Sequence, residues 1–186
     1  QVKLISANKF LGYRGSKEKP SAVILRNNNL HVEIIINPNA FSAKSDPAGI
    51  SDIIVEAAVT TICDHEDSVA SVDASDKVTG DKNWLGLMKG DLKANFYKKG
   101  KNLLRKLNPD RKYISKDGLE KKLKGRALIL NRNTGHLMTN PSILLQDGSE
   151  IPEGILDAFI TTMCAMHDLN LKKNSKEGSI MIVKPK

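Results

Sequence analysis

"RALILNRNTGHLMTN", residues 126–140, is the stretch on which the fold turns. Its first part, Arg126 to Leu130, carries apolar residues without polar alternation, the pattern of a strand buried on both faces. Buried parallel strands in helix-covered sheets look like this, whereas half-exposed antiparallel strands alternate. Arg132 stands just past the end of that run, ahead of Gly135 and His136. In parallel α/β sheets and barrels the working residues lie past the carboxyl ends of the strands, where loops vary without disturbing the core. An arginine at that position is therefore a candidate functional residue.

Two further runs of the same kind flank it. "VTTIC", 59–63, ends in "DHEDS", which places Asp64, Glu66 and Asp67 at the corresponding carboxyl end, and "SIMIV", 179–183, lies near the end of the chain. Between them the spacing predicts a helix over 73–88 and another over "IPEGILDAFITTMCAMHDL". In the second helix Ile155, Phe159, Met163 and Met166 share one face, which is expected to pack as core. Strand, helix, strand, helix, strand with continuous apolar strands gives an α/β class. Upstream, "SAVILRN" and "LHVEIIINP" form an expected hairpin about Asn27 to Asn29. "SDPAGISDIIVEAAV", 45–59, has a capping Ser45 or Asp46, a first-turn Pro47, and Ile50, Ile53, Ile54, Ala57 and Ala58 at helical spacing, so a helix is expected there. Residues 89–125, rich in lysine and turn formers, look like an excursion from the regular βα alternation.

The 186 residues are 40% hydrophobic and 27% charged, ordinary for a globular chain with a core and contrary to disorder. No apolar run approaches the roughly 20 residues that cross a bilayer, and no basic-then-apolar leader opens the sequence, so a cytoplasmic protein without membrane partners is expected. Cys63 and Cys164 are too few for a disulfide framework or a four-ligand zinc site. The net charge of +8 suits nucleic acid, an anionic cofactor or a lysine-rich surface alike, but stacking aromatics are scarce near the lysines, which argues against nucleic acid. The sequence starts at Gln1 and finishes on a strand-like run, so it is expected to be part of something longer.

The chemistry available at the rim is that of a guanidinium beside carboxylates. Arg132 would stay cationic and could meet an anionic substrate or a developing enolate, with Asp64 and Glu66 holding it, orienting metal-bound water or ligating Mg²⁺. A salt bridge at a strand end fits the same spacing equally well. His136 fits a turn, His65 lacks a second histidine at ligand spacing, and Cys63 lacks the electropositive setting of a reactive thiolate. Lys98, Lys99, Lys101, Arg105 and Lys106 form either a solvated face or a phosphate-pairing cluster. No Gly-rich dinucleotide motif or P-loop is present.

The blocks "TTICDHEDSVASVDASDKVTGDKNWLGLMKGDL", "LNPDRKY", "RNTGHLMTN", "DGSEIPEGILDA" and "GSIMIVKPK" resemble, in order, successive blocks of the malate synthase family in its long bacterial G form. The resemblance runs from about Gly12 to Lys186 and implies a portion of a (β/α)8 TIM barrel with an inserted α/β domain. Residues 1–57 and 89–125 would belong to the insertion, and 58–88 and 126–186 would supply three consecutive barrel strands with their helices. It also implies condensation of acetyl-CoA with glyoxylate to malate and CoA, with Mg²⁺ in the complete enzyme and a monomeric parent. Arg132 would stabilise the enolate oxygen and contact glyoxylate, with Asp64 and Glu66 as active-site carboxylates. Ser68, Arg105 and Lys98 would lie near the acetyl-CoA. None of these residues is a metal ligand: the family's magnesium ligands and catalytic aspartate match no position here. The segment alone is therefore expected to be inactive and to expose apolar surface or pair with other copies. A module that binds CoA or another polyphosphate without reaction is the alternative.

Overall fold

The computed structural model describes residues 4–56, 60–66 and 71–185. They fall into two units, Gln1–Val59 with Pro109–Gly125, and Thr60–Asn108 with Arg126–Lys186. Residues 89–108, grouped by the sequence reading with the insertion, thus lie in the second unit. No helix among the described residues is long and apolar enough to cross a membrane.

The first unit is one antiparallel sheet. With strands numbered along the chain, it contains β1 (Phe10–Gly15), β2 (Pro20–Asn27), β3 (Leu30–Ile36), β4 (Ile50–Val55), β8 (Arg111–Ser115) and β9 (Glu120–Leu123), in the order β4-β3-β2-β1-β8-β9. The expected hairpin is β2–β3, closed by Asn28 and Asn29 at φ 48° and 64°, the left-handed pair that a two-residue hairpin turn requires. Ile24, Tyr113 and Leu123 form its core with Leu11 beside them. Inside this sheet Glu33 is 1% exposed, and both of its carboxylate oxygens are engaged by arginines: Arg111 at 2.6 Å and Arg14 at 2.8 Å.

The helix expected over 45–59 does not form. Asp46 caps a turn instead, its Oδ1 accepting the N–H groups of Ala48 at 2.8 Å and Ile50 at 3.2 Å, and Gly49 takes φ 69°. The chain then enters β4, paired with β3. Ile50, Ile53, Ile54 and Val55 are β-branched, and such residues favour strands when an edge is available. Ala57, Ala58 and Val59 lie outside the described residues. Among the described residues this unit holds no α-helix.

The second unit is α/β. A parallel three-stranded sheet, ordered β13-β10-β5, is built from β5 (Thr60–Asp64), β10 (Leu128–Arg132) and β13 (Ile182–Val183). Helix α1 (Ala74–Lys89) falls between β5 and β10 in the chain, and α2 (Glu153–Leu171) between β10 and β13. Asp73 caps α1 by accepting the Asp76 N–H at 2.9 Å, and Gly90, at φ 75°, ends it. Trp84, Met88, Cys164 and Ala165 make the core, against Cys63, Ile129, Ile160 and Ile180. Strand residues alternate faces, so Cys63 and Ile129 face the helices while Ile62, Leu130, Asp64 and Arg132 face the other way. Two hairpins complete the unit: β6 (Lys93–Lys98) with β7 (Lys101–Lys106), and β11 (Thr139–Leu144) with β12 (Glu150–Pro152).

Three details differ from the sequence reading. Strand β10 begins and ends two residues later than expected, so Arg132 is its last residue rather than the second beyond it. Only Ile182 and Val183 of "SIMIV" form ladder pairs; further back, the Asn174 side chain bonds both the N–H and the C=O of Ile129, at 2.8 and 2.9 Å, as a neighbouring strand would. Finally, the stripe of Ile155, Phe159, Met163 and Met166 is not core. Those residues are 40 to 73% exposed, whereas Gly154, Asp157, Thr161, Cys164, Ala165 and Asp168 are the buried ones of α2.

Candidate active site

Parallel pairing puts Arg132 directly beside Asp64, because the β10–β5 register aligns the two last residues of the ladder on one face. The guanidinium grips the carboxylate with two hydrogen bonds: Nε donates to Oδ1 at 2.9 Å and a terminal nitrogen to Oδ2 at 2.6 Å. Glu66 stands at 3.8 Å from the same terminal nitrogen. Asp64 Oδ1 also accepts the Glu66 N–H at 3.0 Å, which fixes the turn that brings Glu66 to the arginine. The His65 N–H donates to the Arg132 carbonyl at 2.9 Å and extends the tie between the two strand ends by one residue. A bidentate pair of this kind fixes the plane of the guanidinium as well as its position, and leaves its remaining donors with a defined direction.

The side away from this face is also polar, though buried. Lys77 of α1 lies 2.6 Å from both Glu153 Oε1 and Asp157 Oδ1 of α2. Burial alone would depress the Lys77 ammonium, but its hydrogen bonds to Asp157 and Glu153 outweigh that and raise it above the usual value. Asp157 accepts the Thr134 N–H at 3.0 Å, and Asn133, the residue between Thr134 and Arg132, donates to Thr161 Oγ1 at 3.1 Å. The Trp84 indole donates to the Thr161 carbonyl at 2.9 Å. Cys63 lies 3.8 Å from His65 Nε2, but burial and then the charge of Asp64 push its thiol up, so the pair lacks the thiolate a nucleophile needs.

The basic cluster is a separate structure in the same unit. Lys99 and Gly100, at φ 50° and 75°, turn the β6–β7 hairpin, and every residue of β7 is exposed. Cross-strand partners share a face, so Lys98, Lys101, Phe96 and Arg105 stand on one side, with the Arg105 guanidinium 5.1 Å from the Phe96 ring centre.

No protein-family model matches the chain. Curated relatives do. Malate synthase G of Halalkalibacterium halodurans is 52% identical over 188 residues, covering all of this chain and 26% of that protein. The Corynebacterium efficiens malate synthase G is 52% identical over 180 residues, 95% of this chain and 24% of its own length, and that of Corynebacterium glutamicum is 49% identical over 187 residues, 99% and 25%. The chain belongs to the malate synthase G family. It spans about a quarter of the length of the malate synthase G relatives it matches.

Against this family, the sequence-derived residues divide into three groups. Arg132, Asp64 and Glu66 meet at the carboxyl ends of two adjacent strands. Arg105 and Lys98 share a face of the hairpin, about 14 Å apart along the strands at the usual rise per residue. Ser68, and Asp67 beside it, lie outside the described residues. Among the described residues no group of three His, Cys, Asp or Glu side chains could hold a metal ion, and the two oxygens of Asp64 are already directed at Arg132. The described carboxylates therefore do not fit a magnesium cradle.

Lys77, Asp157, Asn133 and Thr161 were missed from sequence. They sit in patterns that count apolar periodicity only, and polar residues on a buried helix face leave no such signal. One clue was available: Asp157 and Thr161 are four residues apart, as are Glu153 and Asp157, which places all three on one helix face.

Proposed function

We propose that this chain supplies the arginine side of a malate synthase active site, in a polypeptide that condenses acetyl-CoA with glyoxylate and water to give malate and CoA. The observation that carries the reading is the bidentate Arg132–Asp64 pair at the ends of adjacent parallel strands, in a chain about half identical to malate synthase G over its whole length. Loss of a methyl proton turns acetyl-CoA into an enolate, whose carbon attacks the aldehyde carbon of glyoxylate, and water then cleaves the thioester. A fixed guanidinium lowers the cost of the enolate oxygen's negative charge and can hold the glyoxylate oxygens, and it does so best when it need not reorganise. Asp64 and Glu66 hold it in that state. Neither is free to remove the methyl proton while paired in this way, so the base, like the ligands of the magnesium ion, comes from other segments of the polypeptide. On this reading the segment is part of a (β/α)8 barrel in a cytoplasmic enzyme. The face of Lys98, Lys101 and Arg105 takes the phosphates of CoA, with Ser68 near the acetyl group.

The test is a chimera in which this segment replaces the matching quarter of the Halalkalibacterium halodurans protein. With acetyl-CoA, glyoxylate and Mg²⁺ it should release CoA thiol, and Arg132→Lys should lower kcat at least about a hundredfold. The isolated chain should release none. A chimera that folds and turns over equally well with Arg132→Lys would refute the assignment.

The exposed basic hairpin also favours a second reading, polyphosphate binding without chemistry. This reading expects the isolated chain to give calorimetric heat on titration with CoA, abolished by Lys98→Ala with Arg105→Ala; no heat at millimolar CoA would eliminate it.

A further inference from the structure

Asp157 does more than join two helices. It is 2% exposed, on the buried face of α2, and its two carboxylate oxygens are directed at different things. Oδ1 meets Lys77 of α1 at 2.6 Å, while Oδ2 accepts the main-chain N–H of Thr134 at 3.0 Å. Thr134 is two residues beyond Arg132, in the segment that leaves β10. A carboxylate that only bound α1 to α2 would have no need of that second bond.

The same segment is held from several sides. The His65 N–H meets the Arg132 carbonyl at 2.9 Å, and the Asn133 side chain reaches Thr161 at 3.1 Å. The first turn of α2 presses directly on it: a Cβ at Gly154 would lie 2.4 Å from the Thr134 carbonyl oxygen, so a glycine is needed for the helix to come so close. On the other side, a Cβ at Gly135 would stand 3.7 Å from Glu66 Oε1. Residues 132–135 thus run between the carboxylates that hold the guanidinium and the start of α2.

We propose that Asp157 is a positioning residue for Arg132. Anchored by Lys77, it fixes the main chain at Thr134 and through it the direction in which the Arg132 side chain leaves β10. It touches neither the guanidinium nor any substrate. Its effect on turnover rests on the reading under Proposed function; its effect on Arg132 does not.

The two are separated by measuring both. In this chain, the Arg132 Nε–H signal in a proton–nitrogen NMR spectrum, assigned by its loss in Arg132→Lys, reports the guanidinium directly. Asp157→Ala should shift or broaden that signal and speed deuterium exchange at the Thr134 amide at least about tenfold. The Arg111 Nε–H, held by Glu33 in the other unit, should not move. Gly154→Ala, which displaces the same carbonyl while keeping Asp157 and Lys77, should give the same signature and decides the matter if Asp157→Ala does not fold. In the chimera, Asp157→Ala should lower kcat about tenfold or more with KM for acetyl-CoA nearly unchanged, since small misplacements of an oriented group act on the chemical step. Asp157→Asn, whose amide oxygen can still accept from Thr134 but whose NH2 then faces the Lys77 ammonium, should recover only part of that loss. Folded variants that leave the Arg132 signal and Thr134 exchange as in the parent would overturn the proposal, as would an altered signal with unchanged kcat in an active chimera. A chimera inactive even with the parent segment, in which the NMR signature still moves, would sink the enzyme reading and leave the positioning role standing.

Discussion

Arg132 and Asp64 could be placed at one rim from sequence because two facts about β-structure suffice: parallel strands of similar length end together, and every second residue shares a face. The partly buried charges nearby could not, since some of their partners come from distant segments. Asp81 of α1 is one of these. Burial raises its carboxyl above the ordinary 3.8, with His65 and Lys77 pulling the other way and the charge of Asp157 adding to the rise. The folded state therefore holds that proton more tightly than the unfolded chain does. Its favourable contribution is complete below pH 3.8 and is lost as pH rises through the elevated folded value. Asp81→Asn, which cannot ionise, should show a higher urea midpoint than the parent at pH 7.5, with the gain shrinking toward pH 4; a gain that does not depend on pH would refute the account. Glu33 in the first unit is a second case. Removing its carboxylate in Glu33→Ala leaves Arg14 and Arg111 facing a buried void, and should cost about 3 kcal/mol in urea denaturation, well beyond the loss of a surface pair.

At the scale of elements, both helices, the parallel strands and the β2–β3 hairpin could be read from periodicity and caps, and two assignments could not. Ile50, Ile53 and Ile54 fit helical spacing, yet a β-branched run beside the unpaired edge of β3 gains more from a ladder than from a lone helix. The other failure is instructive about α2. Its large apolar residues are outside, and its inner face is small and polar, because Gly154, Thr161 and Ala165 let α2 come close to its neighbours while Asp157 and Asp168 satisfy main-chain N–H groups at the loops. Apolar counting assigns the faces in reverse. The consequence is measurable: Phe159→Ala, at a residue 73% exposed, should change stability by no more than about 0.5 kcal/mol, while Trp84→Ala, at one 1% exposed, should cost about 3 to 5 kcal/mol. Equal costs at the two sites would mean that the stripe is covered.

At the scale of the whole molecule, the question is what becomes of apolar surface that this chain builds without covering. Among the described residues, the helices of the second unit pack on one face of its sheet, that of Cys63 and Ile129. On the face that carries Arg132 and Asp64, Ile62 is 51% exposed, and on α2 Phe159, Met163 and Met166 stand open together. Three strands are too few to enclose that face by themselves. Whatever covers these residues in a polypeptide of the relatives' length, in the isolated chain the nearest apolar partner is another copy. Burying one large side chain at such a contact contributes about 2 kcal/mol, so a few of them offset a good part of the entropic cost of association. Sedimentation of the isolated chain should therefore show a weight-average mass that rises with concentration in the micromolar range. Phe159→Ser combined with Met163→Ser should lower that rise without loss of the far-ultraviolet helix signal. The net charge of +8 opposes association most strongly at low salt, so added salt should strengthen it. A chain that stays monomeric at every concentration and salt would mean that these apolar faces do not suffice to drive pairing.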